Sequence, residues 1–239
     1  MSPVFSTLFV PAVSLAAAWT SATSLHTRRR LSGREARLRG SARLAFWAFA
    51  LLLIRDHLVR TSAGLSAEAL GLFTLPLLTL FLLALSAAVV RSERLKRKDL
   101  GLGRAAGRDF LAGIGVGAAI AFFGWKLGFI PRVGLVPSGT VGLLPFLAAH
   151  SLAAEIIFRG AFLKRFDGLL DPISLAVLSA LLSSLCWLGL ALFGPFPAVR
   201  VLTLAGWLSL SASALRLSHG LPAAVGLSLA LSTAFLTPA

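Results

Sequence analysis

The chain has 239 residues, 57% of them hydrophobic and 13% charged, with a mean hydropathy of +0.87. A soluble domain carries about 25% charged residues, so the surplus apolar surface cannot be hidden in one small core and lipid is its natural solvent. The net charge of +14 comes from 23 basic and 9 acidic residues. The basic residues crowd into short gaps between apolar stretches, which argues against nucleic-acid binding and for the positive-inside bias of a membrane protein, with anionic lipid headgroups as the partner of the basic loops.

In chain order the pattern predicts an all-α, polytopic membrane protein of about eight transmembrane helices. Segment one runs over about Val4–Leu25, with no basic residue before it and an arginine cluster after it. A secretory signal has the opposite order, so a retained anchor with its N-terminus outside is expected. Segment two covers about Leu44–Val59 and carries Arg55 and Asp56 near its end; segment three covers about Ala67–Val90. Segment four, about Phe110–Ile130, holds Gly113, Gly115 and Gly117, which are expected to let a neighbouring helix approach closely. Segment five is about Val141–Phe166, six about Pro172–Phe193, seven about Ala198–Leu217 and eight about Leu221–Leu236.

Turn residues fall between these segments, at Pro131–Gly139, Gly194–Pro197 and His219–Pro222. The gaps after the odd-numbered segments hold Arg28–Arg43, Arg91–Arg108, Lys164 with Arg165, and Arg216. That bias places these loops in the cytoplasm and both termini outside, in a plasma membrane of the bacterial inner-membrane type. Trp19, Trp125 and Trp207 are read as lying toward segment ends, as interfacial anchors or packing residues. The lone cysteine, Cys186, lies in an apolar run and reads as a small buried hydrophobe.

Of the nine acids, only Glu155 falls well inside an apolar span. A carboxylate at that depth costs a few kcal/mol unless paired or neutral. Arg159 follows four residues later, on the same helix face, so an ion pair along the helix is expected. His150 lies five residues before Glu155, off that face, and can join it only if the helix is locally unwound. His26, His57 and His219 read as interfacial and share no ligand spacing, so neither a metal site nor a cofactor is expected.

The run Ala153-Ala154-Glu155-Ile156-Ile157-Phe158-Arg159-Gly160 resembles the first motif of the CPBP intramembrane protease family, which includes the CAAX-processing endopeptidases and bacteriocin-processing relatives. That motif reads Glu-Glu-x-x-x-Arg, ending in aromatic-Arg-Gly. Glu155, Phe158, Arg159 and Gly160 match it, and Asp99-Leu100-Gly101-Leu102 resembles an acidic-Leu-Gly-Leu run found upstream in the family. The resemblance covers roughly residues 95–236. It implies N-terminal helices with basic loops over 1–94 and a CPBP-like core over 95–239.

The departures from the motif bear on chemistry. In the family the first Glu of the pair is the proposed general base; here that position is Ala154. Counting on to the family's next His reaches Trp187, with Ser183 at its Phe position; another frame puts Ala191 at the His. In Gly220–Ser232, Ser228 stands at the final motif's His and Ser232 at its Asn. Peptide hydrolysis needs a base for water and donors for the oxyanion. Alanine takes no proton, and the bulk of Trp187 is expected to fill a water cavity. Ser228 and Ser232 are expected to bond locally to backbone.

The resemblance therefore implies a pseudoprotease without confident catalytic residues, acting as a membrane scaffold or as a partner for a hydrophobic peptide or membrane protein. Two rival readings are an active intramembrane peptidase using Glu155, and a transporter or channel, which would need further intramembrane charges along a path.

Overall fold

A computed structural model describes residues 47–48, 51, 72, 74–126, 142–166, 170–185 and 198–236. Segment one, most of segment two, and Trp19, His26, His57, Cys186 and Trp187 lie outside the described residues. The described chain is helical and contains no β-strand. Its helices are α1 (Leu75–Ser92), α2 (Ala106–Lys126), α3 (Leu143–Glu155), a π-helical segment (Ile156–Phe162), α4 (Leu163–Phe166), α5 (Pro172–Leu185), α6 (Ala198–His219) and α7 (Leu221–Leu236).

Local signals set many of the ends. Pro76 lies in the first turn of α1, where its missing N–H is no loss, and Arg91 lies in the last, where a cation suits the exposed carbonyls. Asp109 opens α2 and Lys126 closes it, in the same polarity. Asp171 caps α5: its Oδ1 accepts from the N–H groups of Ile173 and Ser174, both at 3.0 Å. These bonds, together with one from the Ser174 hydroxyl, hold the Asp171 carboxyl below its ordinary range. Gly220, at φ +93°, turns the chain from α6 into α7.

Among the described residues, three helical runs are long and apolar enough to cross a membrane: Leu75–Ser92, Ala106–Lys126 and Leu143–Phe166. At 1.5 Å per residue they reach about 27 to 36 Å, against about 30 Å of hydrocarbon. The apolar helices Pro172–Ser184 and Leu221–Ala234 are shorter. Burial is distributed as a bilayer demands. Only 11% of the Ala106–Lys126 span is buried in the protein, whereas 72% of Leu143–Phe166 is. Leu111, Phe122 and Phe123 of α2, Ile173 and Leu181 of α5, and Leu210 and Leu217 of α6 all face outward. So many exposed large apolar side chains mark a membrane protein.

The run Leu143–Phe166 is the axis of the fold. α1 packs along α3, and α7 packs against both α3 and α2. Trp47 and Leu51, Leu75 to Val89 on α1, and Phe146 to Phe162 supply most of the main core. α2 and α7 pack closely through their glycines. A Cβ on Gly113 would meet the Ala223 carbonyl oxygen at 2.0 Å, and one on Gly226 would meet the Phe110 carbonyl oxygen at 2.2 Å. Gly117 sits under Leu227 and Ala230 in the same way. Gly115 departs from expectation: nothing lies within 4 Å of its missing Cβ, because residues two apart on a helix face different ways. Trp207 departs too. It lies midway along α6 and is 68% exposed, so it neither marks a helix end nor packs in the core.

Basic residues of α4 and α6 meet the loop that follows α1. Lys164 Nζ donates to Asp99 Oδ2 at 2.7 Å and to the Arg94 carbonyl at 2.8 Å. Arg165 pairs with Glu93. Arg216 donates through Nη2 to the Asp99 carbonyl, and through Nε to the Arg159 carbonyl at 3.2 Å. Gly101, at φ +64°, lets this loop lie against the Gly220 backbone, where its Cβ would fall 3.0 Å from Gly220 Cα. Leu100 is buried beneath it.

Two outcomes are expected. Gly113→Ala overpacks the α2–α7 contact and destabilises the protein by about 1–3 kcal/mol, while Gly115→Ala leaves thermal unfolding in detergent unchanged or slightly raised; the two melting curves measure this. The Lys164 ammonium and the Lys96 N–H hold the Asp99 carboxyl below its ordinary 3.8. A carboxylate depressed on folding adds stability above the unfolded value, and that stability is lost as pH falls through the lower folded value. Melting temperatures of the native protein should therefore drop below about pH 3.8, and those of Asp99→Asn should drop less steeply over the same window.

Candidate functional site

Glu155 ends α3 and Arg159 lies in the π-helical segment that follows. Both are buried, at 1% and 2% exposure. Arg159 Nη1 donates to Glu155 Oε1 at 3.3 Å, so the ion pair expected from the spacing is present. The backbone beneath it is not the plain α-helix that the spacing suggested. The i→i+5 bonding of a π-helix widens the turn, and the wider turn still brings residue 159 over residue 155. It also turns carbonyls outward, where side chains of other helices reach them. Ser179 of α5 donates to the Phe158 carbonyl at 2.8 Å, and Arg216 takes the Arg159 carbonyl. π-helical turns are rare and cluster at functional sites.

The remaining guanidinium donors reach across to α6. Arg159 Nη2 donates to the Ser209 carbonyl at 2.7 Å and Nε to Ser213 Oγ at 3.3 Å. Glu155 Oε1 accepts a second bond, from Ser228 Oγ on α7 at 2.5 Å. This corrects the sequence-based expectation that Ser228 bonds locally to backbone: a buried carboxylate is a stronger acceptor than a carbonyl already used within a helix. Glu155 Oε2 is buried and has no hydrogen-bond partner among the described residues. Ser151 Oγ, one turn earlier on the same face, is also buried without one.

These groups border a cavity of about 60 Å³. A water needs roughly 10–15 Å³ of such space, so several fit. Its wall brings together His150, Ser151, Ala154, Glu155, Phe158 and Arg159 from the central run. Ser183 joins from α5, Ser209 from α6, and Ser228 and Ser232 from α7. Leu51, Leu208, Leu227 and Leu231 supply apolar wall.

His150 thus reaches the same space as Glu155 although α3 is regular between them. Its ring lies beside that of Phe146, with centroids 6.1 Å apart. Of the motif positions, Ala154, Glu155, Arg159, Ser228 and Ser232 converge here, while Trp187 lies outside the described residues. No group of three His, Cys, Asp or Glu side chains among the described residues could hold a metal ion.

The sequence reading missed Ser209 and Ser213, which bind Arg159, and Ser179, which binds the π segment. For Ser213 the one signal is the recurrence of serine at 209, 211 and 213 within an apolar helix, whereas Ser209 binds through its backbone carbonyl, which no residue type announces. Removing one partner from a buried pair strands the other charge, so Glu155→Gln or Arg159→Met alone should cost about 3–5 kcal/mol. Combining the two should recover part of that loss, as a double-mutant cycle of unfolding in detergent will measure.

Comparison with protein-family models, with curated proteins and with solved structures gave no match to this chain.

Proposed function

We propose that this chain is a CPBP-like intramembrane protein that has lost water-activated peptide hydrolysis and serves as a membrane scaffold, binding a hydrophobic peptide or a membrane-protein partner. One observation carries the reading. Positions 154, 155, 159, 228 and 232, singled out by a resemblance in short motifs far apart in the chain, all border one cavity. At the position where the resemblance expects the general base, Ala154 offers a methyl group. The carboxylate that remains has Oε1 occupied by both Arg159 and Ser228. In the resting site the remaining carboxylate therefore faces a hydroxyl and a guanidinium on that oxygen rather than a water.

The same reading includes eight spans, both termini outside, and a bacterial-type inner membrane. The meeting of basic residues of α4 and α6 with the basic loop after α1 supports that sidedness. Arg91, Arg94, Lys96, Arg97, Lys98, Arg104 and Arg108 are exposed there, in the position where anionic headgroups lie.

A second reading, an active peptidase using Glu155, is favoured by a specific feature: Glu155 lines a space large enough for water, and its Oε2 has no hydrogen-bond partner among the described residues. Purified protein in detergent, offered peptides that CAAX-type endopeptidases cleave, separates the two. The scaffold reading expects no cleavage, together with a defined membrane protein co-purifying from native membranes. Robust peptide turnover abolished by Glu155→Ala would overturn it in favour of the peptidase.

A further inference from the structure

We infer that Ser228 is a nucleophile and Glu155 its general base, forming an acyl-transfer site for carboxylic esters dissolved in the bilayer. This goes beyond the scaffold reading, which concerns peptide hydrolysis by directly activated water. The geometry has the parts that serine catalysis needs: a hydroxyl within hydrogen-bond reach of a base, and a third group that holds the base. Ser228 Oγ donates to Glu155 Oε1 at 2.5 Å, and Arg159 Nη1 donates to that same oxygen. Ser228 is only partly buried and stands on the cavity wall, where a substrate can reach it.

The electrostatics favour the step. Buried charges are costly unless compensated, and Glu155 with Arg159 is neutral as a pair. As Ser228 Oγ attacks the carbonyl carbon, its proton passes to Glu155 Oε1 and the carbonyl electron pair moves onto the carbonyl oxygen. The negative charge shifts from carboxylate to oxyanion while Arg159 stays beside both, so the site remains neutral throughout. The Ser151 hydroxyl, buried and without a partner, is a spare donor on the same wall. Collapse of the intermediate breaks the bond to the alcohol oxygen, which takes the proton back from Glu155 and leaves acyl-Ser228. Water then attacks the acyl group, giving its proton to Glu155, and Ser228 leaves with that proton as the free acid is released.

The substrate class follows from the walls and the leaving group. A space of about 60 Å³ has room for several waters, and so for the carbonyl of an ester. The lining of Leu51, Phe158, Leu208, Leu227 and Leu231 suits alkyl groups. An alkoxide leaves more readily than an amide nitrogen, which selects esters over peptides.

The test uses the full-length protein in detergent micelles with an alkyl fluorophosphonate probe, followed by peptide mass spectrometry and by p-nitrophenyl butyrate hydrolysis. The expected result is one phosphonate adduct, on Ser228, and ester turnover. Ser228→Ala should lose both, and Glu155→Gln should slow labelling by about 100-fold or more. The inference is overturned by an unlabelled wild type in micelles where a known membrane serine hydrolase is labelled, or by an adduct that survives Ser228→Ala. Labelling without a co-purifying partner sinks the scaffold reading alone. Partner capture by an unlabelled wild type sinks this one alone.

Discussion

The buried pair of Glu155 and Arg159 is the constraint around which the helices are arranged. Each ion loses several kcal/mol of hydration on entering a low-dielectric interior, and mutual attraction offsets this only if the remaining donors and acceptors are also satisfied. Arg159 meets that demand by bonding to the Ser209 carbonyl and the Ser213 hydroxyl, and Glu155 by accepting from Ser228. Those partners sit on α6 and α7. A local electrostatic need on the central helix thus fixes the positions of two others. Glu155 also lines the cavity, and its Oε2 has no hydrogen-bond partner among the described residues.

Small residues make that arrangement reachable. With no hydrophobic driving force between helices in lipid, association rests on close packing and interhelical hydrogen bonds. Gly113 and Gly117 of α2 against Ala223 and Leu227 of α7, and Gly226 of α7 against Phe110, provide the close packing on one side of α7. Ser228 and Ser232 then border the cavity, and Ser228 meets the carboxylate. The π-helical turn complements this from the central run. It releases the carbonyls of Phe158 and Arg159 for Ser179 and Arg216, so α5 and α6 are tied to the same turn that carries the pair.

The basic end is continuous with the site. Arg216 joins the carbonyls of Arg159 and Asp99, and Lys164 joins Asp99 to the end of the central run. The loop that carries the exposed basic residues is therefore anchored within one side chain of the buried pair. Its anchoring charges are held by named partners, while Arg91, Arg97, Lys98, Arg104 and Arg108 are exposed.

Much was legible in the sequence. Hydropathy and helix-end signals located the described helices, and segment eight coincides with α7 at Leu221–Leu236. The four-residue spacing of Glu155 and Arg159 announced their pair, because an interaction along one helix depends on local geometry alone. What pairs across helices was not legible. The partners Ser209, Ser213 and Ser228 lie 50, 54 and 73 residues from the group they bind, and serine is unremarkable in an apolar helix. Gly113 and Gly115 look alike in sequence and differ only in which one faces α7. The π turn carries no periodicity of its own and persists because Ser179 and Arg216 occupy its carbonyls. The sequence by itself determined a helical, membrane-suited chain with one buried ion pair. Only the tertiary structure decided that this pair borders a cavity with a serine hydroxyl on its carboxylate, since that depends on where separate helices meet.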